Sequence, residues 1–425
     1  MKFASSIPTR RFWCASALVG ALTPSLGHAA TLTYGNPAGA QNFTVGANWV
    51  GGVAPGSGDF PLINGTNGTV DYPYVDAAVA VQRFNVADLA ASSAGLEIRS
   101  GGSLTTSLTS AHYVGTRGTG LMTIQNGATV NVNGPLNIGW GDAAAHGAGT
   151  VNQLGGAYNG TSSSAGLILG TLAASTPLPA SSGTYNLQGG SLALGGSIVV
   201  GQAGVGVFNM SGGSATTNSF LQIGRTGTGT FTQTGGAVTA NRASGDAMVI
   251  AALAGATGTY EISGGSLSVI ATGAAGLSNG ILAGTANGTL RVIGDGASSI
   301  SIIGDYKQYE GASLELEIGA GVTPIELTGN VTLGGALDVA FTASPSLGQQ
   351  FTVLNYGGSL TGAFSTFDNF VDGPLGPNTI ELSISYGAGS DSAVVLTVVP
   401  EPASASLIVG GVALASLAAR RRWNG

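Results

Sequence analysis

Hydrolysis of a glycosidic bond needs two carboxyl groups about 5–10 Å apart, one to donate a proton and one to attack or to activate water. The repeated part of this 425-residue chain supplies few acids for that work: Asp142, Asp246, Glu261 and Asp295, with Asp305 just after. None stands in an Asp-Asp or Asp-x-Asp cluster, so only stacking of distant segments would bring two together. The expectation is that no residue is catalytic and that these acids are solvated loop carboxylates. Metal chemistry is equally thin. Past the N-terminal segment the histidines are His112 and His146, each alone in a polar, Gly-rich context, and both are expected in surface turns. The one cysteine, Cys14, lies in an apolar segment near the N-terminus, so thiolate sites and disulfides are not on offer. No calcium nonapeptide or EF-hand loop occurs, and no metal or cofactor is expected. The many Gly-x-Gly strings lack the strand-to-helix setting that a phosphate cradle requires. No Gly-x-Ser-x-Gly elbow has a histidine partner.

A different chemistry recurs at one position of a repeat. GAGTVNQLGG (Gly147–Gly156), SSGTYNLQGG (Ser181–Gly190), GVGVFNMSGG (Gly204–Gly213), GTGTFTQTGG (Gly227–Gly236) and ATGTYEISGG (Ala256–Gly265) are copies of one segment, with looser copies at Gly118–Gly127 and Ala286–Asp295. One position reads Thr123, Asn152, Asn186, Asn209, Thr232, Glu261 and Arg291 in successive copies. The row Asn152, Asn186, Asn209 and Thr232 is a candidate surface for hydrogen bonding a sugar polymer or further copies of the protein. The competing expectation is that these side chains bond one another in a ladder that only stabilises the repeat.

Such a row exists only if the copies stack. The second Gly of the doublet recurs at Gly156, Gly190, Gly213, Gly236 and Gly265, spaced by 34, 23, 23 and 29 residues. After each doublet comes a short alternating stretch, then an apolar strand ending at a glycine, as in LNIG (Leu136–Gly139), LILG (Leu167–Gly170), IVVG (Ile198–Gly201) and LQIG (Leu221–Gly224). Period-two alternation puts Tyr185 with Leu187, Phe208 with Met210, and Tyr260 with Ile262 on one inward face. A short unit of three strands cannot close its own apolar face and must stack on its neighbours. At about 4.8 Å per coil, roughly nine or ten coils fit between Asn64 and Asp305. The longer spacings read as extruded loops, above all Thr171–Ser182 with its Pro177 and Pro179. An antiparallel propeller is the alternative, but its blades need roughly 40 residues or more.

The expected fold is therefore all-β: a right-handed parallel β-helix (β-solenoid) over 64–305, behind an N-terminal lead-in over 30–63 and ahead of a β-rich C-terminal cap over 306–398. Asn48-Trp49 and the Pro55-Gly56 turn look like the lead-in of many secreted β-solenoids. The cap, with runs such as LELEIG (Leu314–Gly319) and TIELSISY (Thr379–Tyr386), resembles the C-terminal portion of autotransporter-type passenger domains.

The two ends read as addresses. Lys2, Arg10 and Arg11 precede an apolar segment, Phe12–Leu22, and Gly27-His28-Ala29 offers small residues before a cleavage between Ala29 and Ala30, making 1–29 a signal peptide. At 399–425, a Pro400-Glu401-Pro402 turn leads into the uncharged run Ala403–Ala419, closed by Arg420, Arg421 and Arg422. Arginines after an apolar span hold that end in the cytoplasm. Its 17 residues sit at the short limit for a transmembrane helix. This tail resembles the PEP-CTERM sorting signal of Gram-negative exopolysaccharide producers, which implies processing by an exosortase-type membrane protease that reads those residues. The resemblance also implies export through an inner-membrane intermediate to the cell envelope or extracellular matrix.

Between the ends, seven basic residues stand against nineteen acidic ones, and the basic ones are scattered singly. No patch exists to track a phosphate backbone, so nucleic acid is not an expected partner. The function expected is structural or adhesive, with surface glycans, exopolysaccharide or self-association as partners. The alternatives are a β-helix polysaccharide lyase or glycoside hydrolase, and a glycan-binding module with Trp140 and Tyr158 as the aromatics to line its groove, although the expectation for each is a loop residue packed against its own coil.

Overall fold

Three sheets of 13 strands each make up the molecule. The computed structural model describes residues 30–399 apart from 36–40, 66–71, 176–177, 273–275, 282–284, 295–297, 320–322, 372–380 and 388–391. Each repeat gives one strand to each sheet, and each strand pairs in parallel with its counterpart one repeat later. In the coil that starts at Ser182, the strands are Ser182–Leu187 (sheet I), Ser191–Leu194 (sheet II) and Ile198–Val200 (sheet III). They pair with Val205–Met210, Ser214–Thr217 and Leu221–Ile223 of the next coil. The described helical structure is one short 3-10 turn, Gly46–Asn48. This is the architecture of a β-solenoid.

Alternation decides what the coil buries. Sheet I strands carry their buried residues at every second position, as in Ser182–Leu187, where Tyr185 and Leu187 are fully enclosed. In register they form interior columns. Tyr185 stacks on Phe208 at 5.1 Å, Phe208 on Phe231 at 4.4 Å, and Phe231 lies 5.0 Å from Tyr260. Polar groups of this column are paired: the Tyr185 hydroxyl donates to Gln153 Oε1, and Gln153 Nε2 donates to the Ser191 carbonyl at 2.9 Å. Gln233 repeats the device with the Tyr260 hydroxyl and the Ser266 carbonyl.

The glycine doublets make the corner between sheets I and II. Gly190 has φ +75°, and a Cβ there would sit 2.0 Å from the Gly156 carbonyl oxygen of the coil below. Positive φ and close passage of backbone over backbone both require glycine. The loop expected at Thr171–Ser182 leaves the stack and returns: Ser181 N donates to the Leu172 carbonyl at 3.0 Å, which pinches its base.

Parallel pairing runs beyond the recognisable repeats at both ends. Thr31–Thr33 already pairs in parallel with Phe60–Ile63. Past Asp305, Ser313–Ile318 pairs with Ala336–Phe341, which pairs with Thr366–Val371. No doublet follows the sheet I strand there; Gly311 and Gly335, both of positive φ, stand before the sheet I strands instead, and alternation persists. Among the described strands, pairing turns antiparallel at Ala393–Val399, which lies against Gln350–Tyr356 and against Glu381–Tyr386 and so covers the last parallel strand of sheet II.

Candidate functional site

The repeated polar position forms one row on the outer face of sheet I. Thr123, Asn152, Asn186, Asn209, Thr232, Glu261 and Arg291 follow one another in register, and the row continues to Glu315, Asp338 and Asp368. Toward the N-terminus it runs through Glu97 to Tyr74. Its chemistry changes along the axis in three stretches.

The middle stretch is neutral. Asn209 Nδ2 donates to Asn186 Oδ1 at 2.8 Å, and Asn186 Nδ2 donates to Asn152 Oδ1 at 2.8 Å. Asn152, Asn186 and Asn209 thus form the ladder the sequence allowed for, while Thr232 follows in register. The row on one side, two residues earlier on each strand, reads Leu121, Thr150, Thr184, Val207 and Thr230. Gln188, Ser211 and Thr234 lie on the other, and with Asn186, Asn209 and Thr232 they line a shallow hollow of about 270 Å³.

The N-terminal stretch is an ion-pair knot. Arg99 Nε contacts Glu97 at 2.9 Å while its guanidinium sits 3.6 Å over the Tyr74 ring, and Gln125 Nε2 donates to the same carboxylate at 2.9 Å.

The C-terminal stretch gathers acids around one cation. Arg291 reaches Glu261 at 3.2 Å, Glu315 at 3.7 Å and Glu317 at 3.9 Å. Arg291, Glu315, Glu317 and Asp338 border a hollow of about 250 Å³. Partial burial pushes the Glu315 carboxyl above its usual range against the pull of Arg291. Asp338 is pushed up by burial and by the charge of Asp368 on the next coil. Sequence reasoning passed over these residues because the search for acids stopped at Asp305. The signal was present in LELEIG, where strict alternation puts Glu315 and Glu317 outward together.

The other acids are dispersed. Asp142 pairs with Arg117 at 3.5 Å, and two backbone amides, Ala144 and Ala145, hold its carboxyl below the ordinary carboxylate range. Asp246 accepts from the Ser278 hydroxyl at 2.8 Å, and Asp305 accepts from Asn330 N at 2.8 Å. Asp295 lies outside the described residues. Among the described residues, no group of three or more His, Cys, Asp or Glu side chains is arranged to hold a metal ion.

Two expectations need correction. His112 is not in a surface turn: it lies in the strand His112–Val114 of sheet III, fully enclosed and stacked on Phe84 at 5.1 Å. HYVG (His112–Gly115) is the same segment as LNIG (Leu136–Gly139), with His112 at the inward position of Leu136. Tyr158 is packed inside its coil, but from the strand Ala157–Gly160 and not from a loop, and its full burial removes it as a groove aromatic. His146 stays half-buried at a loop, its Nδ1 donating to the Pro179 carbonyl at 2.5 Å. Trp140 is half-buried, its ring set edge-on to Tyr113 at 5.6 Å.

Of the processing residues, Ala29, Pro400, Glu401, Pro402 and Arg420, Arg421 and Arg422 lie outside the described residues, as does the span Ala403–Ala419. Ala30 is described, and its nitrogen lies 3.3 Å from Asp59 Oδ1. Among the described residues, no helix is long and apolar enough to cross a membrane.

No family model matches the chain, and neither a curated protein nor a solved structure matches it.

Proposed function

We infer that the protein is an exported structural or adhesive component of the cell surface or exopolysaccharide matrix of a Gram-negative bacterium, delivered through a PEP-CTERM-like tail. The observation that carries this reading is the unbroken stack. Thirteen strands per sheet at about 4.8 Å each give a stiff body roughly 60 Å long, which suits a spacer or scaffold. The winding is right-handed, the hand that twisted parallel strands favour in their crossovers. The antiparallel pair Glu381–Tyr386 and Ala393–Val399 serves as a cap, denying part of the stack's end to other chains. Residues 403–419 cross the inner membrane as a short helix until an exosortase-type protease acts near Pro400-Glu401-Pro402. Signal cleavage fits the same picture. Cutting after Ala29 leaves a new ammonium at Ala30, beside the Asp59 carboxylate.

The test is fractionation. Replacing Arg420, Arg421 and Arg422 together by Gln is expected to impair retention and processing, so that unprocessed chain accumulates or escapes to the medium. Unchanged fractionation and processing of that variant would overturn the sorting assignment.

A carbohydrate-active enzyme is the second reading, and Glu315 with Asp338 is what favours it. Outward carboxylates on adjacent coils, both pushed up in pKa beside a hollow, have the makings of an acid and a nucleophile. Cleavage of a polysaccharide that disappears in Glu315→Gln would replace the scaffold reading with this one.

A further inference from the structure

We propose that the neutral stretch of sheet I, from Thr123 to Thr232, binds an uncharged linear polysaccharide laid along the stack axis. The inference rests on the exported, matrix-facing reading above and names the ligand class and the face that takes it.

The ladder is polarised. Asn209 and Asn186 each donate to the asparagine of the coil before, which leaves the Asn152 amide N–H groups as donors at one end and the Asn209 Oδ1 as an acceptor at the other. Each amide between them keeps a second N–H and further acceptor capacity for a ligand. Ordering the amides on a rigid sheet removes much of the entropy cost of arranging them at binding, and bonds in a chain reinforce one another.

Repetition matches the ligand. Donors and acceptors recur at about 4.8 Å along the axis, close to the length of one extended pyranose unit. A chain running along the row would meet an amide on each of three successive coils, Asn152, Asn186 and Asn209, with a threonine hydroxyl on the coil at either end. The hydroxyls of Thr184 and Thr230 on one side and the hollow beside Gln188 and Ser211 on the other widen the contact beyond a single line.

Charge selects against other occupants. The row carries no charge from Thr123 to Thr232 but has carboxylates just beyond each end, at Glu97 and Glu261. A polyuronate or other anionic chain would find no cation in the row between Thr123 and Thr232, and the guanidinium groups beyond its ends, Arg99 and Arg291, are already engaged by Glu97 and Glu261, whereas a neutral chain needs no counter-charge.

The experiment uses the purified full-length chain in detergent. It is titrated calorimetrically with neutral hexasaccharides of β-1,4-glucose, β-1,3-glucose and β-1,4-mannose, and with a hexameric polyuronate. At least one neutral probe is expected to bind at least about tenfold more tightly than the polyuronate. Gln188→Glu and Ser211→Asp add a charge beside the ladder without cutting it, and each is expected to weaken that binding by about tenfold with an unchanged melting temperature. The proposal is overturned if no neutral probe binds, if the polyuronate binds as well, or if both variants bind like the parent. It is also overturned if sedimentation shows self-association that Ser211→Asp abolishes, since the face then belongs to a second copy. The tail-arginine fractionation does not depend on any of these outcomes, so either reading can fail alone.

Discussion

His112 is a basic side chain in a dry place. Its Nε2 is 3.1 Å from Thr106 Oγ1, and its Nδ1 is buried without a hydrogen-bond partner. Desolvation, helped by the nearby Arg83 charge, lowers its pKa to about 3, so the folded protein holds it neutral. The unfolded chain binds a proton at this residue near pH 6.5 while the folded chain refuses it until about pH 3. The stabilisation from a neutral His112 is therefore complete above pH 6.5 and is lost steadily as pH falls toward 3. Over that window the loss amounts to a few kcal/mol, on the order of 1.4 kcal/mol per unit of difference. His112→Gln keeps a neutral polar side chain, so its melting temperature is expected to fall less steeply with acid than that of the parent. Equal slopes for the two proteins between pH 6.5 and 3 would remove His112 from the account of acid sensitivity.

A strand in this fold is stabilised chiefly by the strand before and the strand after, and the aromatic column shows it. Phe208 is held between Tyr185 and Phe231 with all three rings enclosed. Phe208→Ala is expected to cost about 3–5 kcal/mol, read as a lower guanidinium midpoint. Because coils interact with nearest neighbours, Phe208→Ala should add independently to Phe341→Ala, many coils away, but not to Phe231→Ala. Non-additivity with Phe341→Ala would mean that strain spreads along the stack. These columns were legible in the sequence because alternation and the glycine doublets mark every inward position from Tyr185 to Ile262. Legibility failed where one of the two signals was weak. HYVG hid a buried histidine because its residue type suggests exposure, although its place before Gly115 matches Leu136 before Gly139. Past Asp305 no glycine doublet follows the sheet I strand and alternation is the signal left at that corner, so Ser313–Ile318 and Ala336–Phe341 read as a separate region. The ladder bonds were legible only as an alternative, since the direction in which an amide points depends on its neighbour's register.

Stacking also divides the surface by chemistry. Sheet I displays amides, hydroxyls and every carboxylate of the long row. The outer positions of sheet II from Ala78 to Ser301 are instead uncharged, with Ser103, Asn131, Ser191 and Thr216 typical of them. A body assembled this way should accept loss of a whole coil but not of a fraction of one. Removing residues 205–227 joins Gly204 to Thr228, which the register already equates with Val205. Phe231 then falls on Tyr185, Thr232 on Asn186 and Met248 under Ile198, so these columns keep their character, while Leu187 comes to lie between Gln153 and Gln233. Removing residues 205–215 instead takes out an odd-numbered part-coil, which turns inward residues outward and throws strands into the wrong sheet. The whole-coil deletion is expected to keep a cooperative thermal transition and to shorten the particle by about 4.8 Å in small-angle scattering. The part-coil deletion is expected to lose the transition. Two variants that unfold alike, or that both survive, would show that the coil is not the unit from which this molecule is built.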